Sequence, residues 1–292
     1  MAILTGINSE LTGSIGKVTY SRQGGQTVAR QKVTRKSNPK RTPGIMVNRM
    51  QWANLVHIWQ AFSGKLKPSF QGKEPGKSDF NEFMASNLGK NKVYLTKSDS
   101  KQGGAVVAPY QVTRGTLPSV STTIADNQKA ITDIAMGGIT IGASTTLATF
   151  SAAILENNPD WQAGDQLTVF NAKQSVDPTT NTPRVVIDAF EITLDPNDDG
   201  TLLADLVGAS LLETTDGKLG TSSTINGAIA FIYSRKVSGA TAVSTQFFVG
   251  NSAILPTYQS ETARSSAILS YGGVNDEQYL TPNATADISA QP

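Results

Sequence analysis

Cysteine is absent from the 292-residue chain, and histidine occurs only once, at His57. The protein therefore has no disulfide scaffold, no thiolate nucleophile and no Cys-ligated metal site. A Ser-His-Asp triad would have to be built around that single histidine, and the sequence has no G-x-S-x-G nucleophile elbow. These absences predict a protein that is not an enzyme.

Long hydrophobic runs are also missing. No stretch approaches the roughly 18 consecutive apolar residues that a membrane-spanning helix needs. The opening residues Met1–Gly6 lack the charged region and long apolar run of a secretory signal. We therefore expect a soluble protein that is made in a cytoplasm and has no membrane partner.

Acidic residues are scarce in the first part of the chain. Residues 1–118 contain 18 Lys or Arg against 5 Asp or Glu, whereas residues 119–292 contain 7 against 18. The net charges of the two parts are +13 and −11. This opposition predicts two domains with different surfaces, and head-to-tail contact between copies of the chain.

Residues 1–41 are predicted to form a basic extended arm or hairpin. Alternating residues predict a strand over 16–22, a turn at 23–26 and a returning strand over 27–33. The candidate partner-binding residues are the basic side chains of this arm: Lys17, Arg22, Arg30, Lys32, Arg35, Lys36, Lys40 and Arg41.

Three interpretations of the basic arm remain open. It could bind the acidic surface of a neighbouring subunit, contact nucleic acid phosphates, or be a solvated basic face. Contact with a subunit needs no further partner, because the acidic half of the same sequence supplies one. Tyr20 is the only aromatic residue in the arm, which makes it a poor stacking platform for single strands.

Residues 42–118 are predicted to form a small helical α+β domain. A helix begins at Thr42 and Pro43 and ends at Ser63–Gly64, and a second helix spans Ser78 to Gly89. In the first helix one apolar stripe is predicted, and His57 lies nearly opposite it, facing solvent or a partner. The stripe consists of Trp52, Leu55, Val56, Trp59 and Phe62. Short strands are expected at 93–95 and 111–113.

Residues 119–271 are predicted to form an acidic β-sandwich of immunoglobulin-like type, followed by a polar tail at 272–292. Ser238–Gly239 is predicted to form the turn of a hairpin. The candidate strands are 138–142, 147–152, 166–171, 184–194, 202–207, 227–236 and 241–250. The predicted fold class is therefore mainly β, with a small α+β N-terminal domain and an immunoglobulin-like β-sandwich C-terminal domain.

The sequence Asp195-Pro-Asn-Asp-Asp-Gly200 matches the first half of a calcium loop. The candidate ligands are Asp195, Asn197 and Asp199. The second half does not match, because Leu206 stands where a bidentate Glu is needed. A polar turn is the alternative interpretation, since Pro, Asn, Asp and Gly all favour turns. No other cofactor is expected.

Several short segments resemble an uncharacterised family, a domain of unknown function, of Bacteroidetes bacteria and their phages. The resemblance covers residues 6–250 in patches and is carried by five segments: 13–30, 38–43, 112–118, 161–167 and 244–250. This chain departs from the family pattern by a longer insertion around 171–226 and by added sequence after 250. The family has no established activity, so the resemblance implies a phage context.

From this context we expect a bacteriophage virion structural protein at the head surface, neck ring or tail. Its partners would be copies of itself, as a homo-oligomer, and other virion structural proteins. The first alternative is a bacterial surface or carbohydrate-binding β-sandwich module, although the export signal is missing. The second alternative is a packaged DNA-binding protein.

Overall fold

The computed structural model describes residues 2–4, 12–23, 26–32, 42–65, 69–125, 128–208, 211–250 and 253–272. In these ranges the chain is mostly β, with four antiparallel sheets and seven helices. The predicted mainly β class is confirmed. None of the helices in the described part of the chain is long and apolar enough to cross a bilayer.

The strands, in chain order, are β1 (Ala2–Leu4), β2 (Gly13–Ile15), β3 (Val18–Gln23), β4 (Gln26–Gln31), β5 (Gln111–Thr113), β6 (Thr122–Ile124), β7 (Ala130–Ala135), β8 (Gln166–Val176), β9 (Pro183–Thr193), β10 (Leu212–Thr215), β11 (Lys218–Thr221), β12 (Gly227–Val237), β13 (Ala240–Val243) and β14 (Gln246–Phe247). The helices are α1 (Pro43–Phe62), α2 (Asp79–Asn87), α3 (Lys97–Lys101), α4 (Leu147–Asn157), α5 (Leu203–Val207), α6 (Leu255–Gln259) and α7 (Glu261–Ser270).

The first sheet has the strand order β1-β4-β3-β2 and is built around the β3–β4 hairpin. In that hairpin Val18 pairs with Gln31 and Tyr20 with Ala29. The predicted pairing of these two strands is confirmed, and β1 and β2 extend it to four strands.

The central sheet has the order β13-β12-β8-β9, and its three longest strands are 11 residues each. Both faces of β8 are buried, with Phe170 and Ala172 on one face and Leu167 and Val169 on the other. The predicted β12–β13 hairpin is confirmed. Its turn residues Ser238 and Gly239 have φ of 49° and 82°, the two positive angles of a type I′ turn.

The first hydrophobic core lies between the helices α1 and α2 and one face of the central sheet. Phe62 of α1 contacts the rings of Phe83 and Phe170, with centroids 5.3 and 5.8 Å apart, and that of Phe248 at 6.5 Å. These residues lie on both sides of the boundary predicted at residue 118. The segment 42–118 therefore shares its core with the strands that follow it.

The second core fills the space between the other face of the central sheet and the sheet β10-β11-β7-β6. Val169 and Phe231 meet Ile134 and Leu219 there, and Phe150 of α4 packs into the same cluster. The central sheet is thus the middle layer of the fold, with helices on one face and the second sheet with α4 on the other.

The helix predictions for α1 and α2 are confirmed by their caps. The Thr42 side chain accepts a hydrogen bond from the backbone of Ile45, and Pro43 occupies the first helical position. Gly64, with φ of 87°, follows the last turn of α1. Ser78 caps α2 in the same way as Thr42 caps α1.

Four strand predictions are wrong. Residues 147–152 belong to α4, because Thr146 caps a helix whose apolar residues recur at helical spacing, and 202–207 contains α5. Residues 93–95 and 138–142 form no strand. Residues 93–95 are buried, and their apolar side chains pack into the hydrophobic cores although their backbone pairs with no strand.

A buried segment without regular structure, residues 104–110, crosses the first core. Its backbone polar groups need partners because water cannot reach them. Asn54 of α1, fully buried, supplies several of them. Its Oδ1 accepts the N–H of Val106 at 2.8 Å, and its Nδ2 donates to the carbonyl of Val106 at 3.1 Å and to the Tyr110 hydroxyl at 2.7 Å.

Two further buried amides complete this support. Gln174 of β8 accepts the N–H of Val107 at 2.8 Å and donates to the carbonyl of Ala105 at 3.1 Å. Asn87 at the end of α2 accepts the N–H of Gln111 at 2.8 Å and donates to its carbonyl at 2.9 Å. Side-chain amides therefore make hydrogen bonds to this segment that the backbone of a neighbouring strand makes in a sheet.

Candidate interaction surfaces

The basic residues of the first sheet do not form one continuous face. Neighbouring residues of a strand point to opposite faces, and residues paired across strands share a face. Arg30 and Lys32 therefore lie on one face of β4 and its continuation. Lys17 is adjacent to Lys32, whose N–H donates to the Lys17 carbonyl at 2.6 Å. Arg22 lies on the opposite face, at the other end of the hairpin.

Lys17, Arg30 and Lys32 thus form a cation cluster at the open end of the hairpin. All three side chains are exposed, and none forms an ion pair with another residue of the described ranges. No Asp or Glu occurs between Leu11 and Lys73 that could neutralise them locally. The other four predicted partner-binding residues, Arg35, Lys36, Lys40 and Arg41, lie outside the described residues.

An apolar patch lies where the first half of α1 meets the end of α2. Ile45, Trp52 and Leu88 are 38%, 47% and 38% exposed, and with Asn48 and Arg49 they line a shallow cavity of about 370 Å³. We call these five residues the Trp52 patch. Trp and Arg are enriched at the energetic centres of protein interfaces, which makes this patch a candidate interaction surface.

The sequence pattern placed Trp52 in the apolar stripe of α1, and in the structure Trp52 is the most exposed member of that stripe. The residues of α1 that are buried most completely recur every four positions along a neighbouring face, with Leu55 beside them: Met46, Met50, Asn54, Ile58 and Phe62. The Trp52 ring contacts that of Phe80 edge-on, with the ring centroids 6.1 Å apart. Two apolar faces on one helix are the signal that could have revealed the patch.

An acidic cleft lies on the second half of the chain. Asp133 and Asp160 line a cavity of about 160 Å³ together with Asn157 and Asn158. Both carboxylates are exposed, as is Glu156 at the end of α4. None of these three carboxylates is in an ion pair with another described residue. This cleft can accept a Lys or Arg side chain.

A buried ion pair lies beside the acidic cleft. The Asp165 side chain is 2% exposed, and Arg235 donates to both of its oxygens at 2.7 Å. The Tyr233 hydroxyl donates to Asp165 at 2.9 Å, while the Tyr233 ring stacks on Trp161 with centroids 4.1 Å apart. Burial, and the hydrogen bond to Asp165, raise the pKa of the Tyr233 hydroxyl. This network fixes the end of β12 to the loop before β8.

His57 does not face solvent or a partner as predicted. It is half-buried, and its Nδ1 lies 2.7 Å from the carbonyl oxygen of Gly104, to which it donates. The segment 104–110 crosses this side of α1, which the helical pattern alone could not indicate. His57 therefore contacts its own chain.

The loop Asp195–Gly200 is bound to the start of α4. The backbone carbonyls of Asp198 and Thr201 accept hydrogen bonds from the first two N–H groups of α4, at 2.9 and 2.8 Å. Asp198 Oδ1 in turn accepts the N–H groups of Gly200 and Thr201 at 3.2 and 3.0 Å. The loop therefore works as a polar turn that caps a helix.

The three predicted calcium ligands lie in this loop. Asp195 Oδ1 accepts the N–H of Asn197 at 2.9 Å, and Asp199 is exposed. Within the described ranges, no group of three or more His, Asp or Glu side chains is arranged to hold a metal ion. Calcium binding at Asp195, Asn197 and Asp199 stays a prediction.

The hydrogen bonds to the Asp198 carboxylate, which hold the loop in shape, predict a pH-dependent effect of Asp198→Asn. The hydrogen bond from the Thr201 hydroxyl, and then the backbone N–H of Thr201, lower the pKa of the Asp198 carboxyl. A lowered pKa contributes stability that is present at neutral pH and is lost as the pH falls through it. Urea unfolding should show Asp198→Asn less stable than the unchanged chain at neutral pH. The difference should shrink below the ordinary Asp pKa of about 3.9.

Asp199→Asn is the matched control, because the Asp199 side chain is exposed in the same loop. It should change the stability little at any pH when a chelator is present. A difference for Asp198→Asn that stays constant from neutral to acidic pH would contradict a stabilising role of the charged Asp198 carboxylate.

Comparison of the chain with protein-family models, with curated proteins and with solved structures finds no match. The resemblance to the phage-associated family stays an expectation from the sequence.

Proposed function

We propose that the protein is a structural subunit of a bacteriophage particle, at the head surface, neck ring or tail, and that it acts by binding copies of itself and other virion proteins. It would be made in the host cytoplasm and end in the virion. The observation that carries the proposal is the cation cluster of Lys17, Arg30 and Lys32, which has no carboxylate partner among the described residues.

Three adjacent cations repel one another, and an anionic partner relieves that repulsion. The acidic cleft of Asp133 and Asp160 offers such a partner on a second copy. Contact between the basic end of one molecule and the acidic half of the next is heterologous, so it generates rings or open chains of subunits. Phage particles are built from such repeated contacts, which supports the proposal.

The Trp52 patch supports the same interpretation. Electrostatic complementarity mainly sets the rate and specificity of association, whereas buried aromatic and Arg side chains supply most of the affinity. The chain exposes both kinds of feature in its first half. This combination is typical of a protein that binds other proteins.

The immunoglobulin-like β-sandwich predicted for the second half also remains a proposal. Two antiparallel four-stranded sheets that share a core support it. The helices α4 and α5, which pack into the same core, depart from the immunoglobulin pattern.

Charge reversal of the cation cluster tests the proposed association. The triple variant Lys17→Glu, Arg30→Glu and Lys32→Glu should bind its partner subunit roughly a hundredfold more weakly, because about 3 kcal/mol is lost when like charges meet. Sedimentation or light scattering of the purified protein at low salt measures the oligomers. High salt should weaken association of the unchanged chain in the same direction.

The matched control reverses three exposed lysines elsewhere, Lys92→Glu, Lys97→Glu and Lys101→Glu. This control changes the net charge equally and should leave association intact. Equal loss in both triple variants, or a chain that is monomeric at every salt concentration, would contradict the proposal. Tight, salt-dependent binding of duplex DNA by the unchanged chain, lost in the first variant alone, would favour the nucleic acid interpretation instead.

A further inference from the structure

Strand β9 is an edge of the central sheet, and half of its backbone groups have no strand to pair with. The N–H of Leu194 donates to the carbonyl of Asp165, just before β8, at 2.7 Å. Even-numbered residues of β9 therefore face β8, and the odd-numbered residues of 185–193 direct their N–H and C=O groups outward. Of these outward groups, only the carbonyl of Ile187 has a hydrogen-bond partner within the described ranges, the Nζ of Lys65.

The opposite edge of the same sheet, β13, is closed by its own chain. Gln71 donates to the carbonyl of Thr241 at 3.1 Å and accepts the N–H of Val243 at 3.4 Å. The N–H of Leu117 donates to the Val243 carbonyl at 3.1 Å. Natural proteins cover such edges, or interrupt them with bulges and prolines, because an open edge can pair with another chain. β9 pairs with β8 without a register shift and has no proline after Pro183, so it is a long, regular and open edge.

The middle of this edge is accessible and carries charges of both signs. Lys65 and residues 188–191 line a shallow cavity of about 380 Å³ along it. The Asp188 carboxylate is paired with Lys173 at 2.7 Å. In contrast, neither Lys65 nor the exposed Glu191 is in an ion pair with another described residue. The edge therefore offers an ammonium group and a carboxylate to a partner strand.

Two copies of this edge complement each other in charge when they pair antiparallel. If Ala189 lies opposite Ala189 of a second copy, Glu191 lies opposite Ile187 of that copy, whose carbonyl is bound by Lys65. The two-fold symmetry repeats this contact on the other side of the axis. A register centred on Asp188 or on Glu191 places identical carboxylates opposite each other, which is destabilising. The charges thus favour the register centred on Ala189.

We propose that β9 pairs with β9 of a second copy, antiparallel and about a two-fold axis at Ala189, so that one continuous sheet runs through both molecules. About ten backbone hydrogen bonds form across the axis, and Lys65 moves to Glu191 of the second copy. Val186, which is 57% exposed, lies opposite Ile192 of the second copy. The contact deepens the proposed function, on which it rests for the expectation that copies of the chain associate, and it uses no residue of the cation cluster.

Sedimentation velocity of the full chain at several concentrations tests the pair. Glu191→Lys should weaken it about a hundredfold, roughly tenfold at each of the two symmetry-related contacts, because Lys65 then meets a like charge. Adding Lys65→Glu reverses both charges and should restore the affinity. Asp199→Lys makes the same charge change at an exposed position outside β9, and as the matched control it should change nothing.

Ala189→Pro tests the backbone pairing. Proline has no N–H at the axis, and the β8–β9 ladder does not use this N–H because it faces outward. The variant should be monomeric, and urea unfolding checks that it is folded. If it does not fold, the charge swap between Lys65 and Glu191 decides.

Hydrogen exchange read by mass spectrometry locates the contact in the unchanged chain. The amides of 185–193 should be protected at high protein concentration and exchange faster on dilution. The charge-reversal variant of Lys17, Arg30 and Lys32 should keep this protection and lose only larger assemblies, which separates the two-fold pair from the proposed head-to-tail contact.

Protection of 185–193 that does not depend on concentration would overturn the pairing, and so would equal affinity of Glu191→Lys and the unchanged chain. Protection gained only when another particle protein is added would assign the edge to that protein and overturn the pairing of two copies.

Discussion

Asn54→Leu should lower the free energy of unfolding by about 4 kcal/mol, because it leaves the N–H and C=O of Val106 buried without partners. Leucine is close to asparagine in size, so the change tests hydrogen bonding more than packing. Asn54 is fully buried and also donates to the Tyr110 hydroxyl at 2.7 Å. Urea unfolding followed by tryptophan fluorescence measures the loss.

The matched control is Gln60→Leu, an amide-to-leucine change at an exposed position of the same helix. It should alter the stability by no more than about 0.5 kcal/mol, as exposed substitutions usually do. Equal stability of Asn54→Leu and Gln60→Leu would show that the buried segment 104–110 does not depend on the amides that surround it.

Arg235→Ala is expected to destabilise the fold by about 3 kcal/mol, since removing one partner of a buried ion pair leaves the other charge uncompensated. Asp165 is 2% exposed and loses two hydrogen bonds of 2.7 Å in this variant. It keeps those from the Tyr233 hydroxyl and the backbone of Gln162, which places the expected effect at the lower end of the usual range.

Lys173→Ala supplies the comparison for this second prediction. Its ion pair with Asp188 has the same 2.7 Å distance, but the two side chains are 61% and 36% exposed. Exposed pairs contribute at most about 1 kcal/mol, so this variant should remain close to the unchanged chain. If Arg235→Ala unfolds at the same urea concentration as Lys173→Ala, the network around Asp165 does not stabilise the protein.

The long strands and the first two helices could be predicted from the sequence because their signals are local. β12 begins with an apolar run, β9 is rich in β-branched and aromatic residues, and the Ser238–Gly239 turn fixes the β12–β13 hairpin. The Thr42 and Ser78 side chains cap their helices by accepting hydrogen bonds from the backbone N–H groups three residues later in the chain. In each of these places, residues close together in the sequence are sufficient to determine the local structure.

The remaining features depend on contacts between distant residues. Gln174 supports Val107 across 67 residues, and no pattern in the sequence indicates that pairing. Residues 147–152 are an exception, because the Thr146 cap of α4 is a local signal like those of Thr42 and Ser78. A six-residue, mainly apolar stretch is by itself compatible with a strand or a helix.

The candidate surfaces show the same division. The sequence alone shows that this part of the chain is basic. That Lys17, Arg30 and Lys32 lie together, and that Arg22 lies on the opposite face, follows from the strand register. The Trp52 patch was missed because a tryptophan on an amphipathic helix is usually part of the core. The packing of α2, α7, the central sheet and residues 104–110 around α1 decides which side of that helix remains exposed.

Zero-length crosslinking of purified phage particles, read by mass spectrometry, tests the central claim most directly, because it joins lysines to carboxylates that touch. The account predicts peptides of this chain in the particle, with Lys17 or Lys32 joined to Asp133, Glu156 or Asp160 of a second copy or to acidic residues of another virion protein. Particles that lack the chain, or crosslinks that join these lysines only to their own molecule, would contradict it.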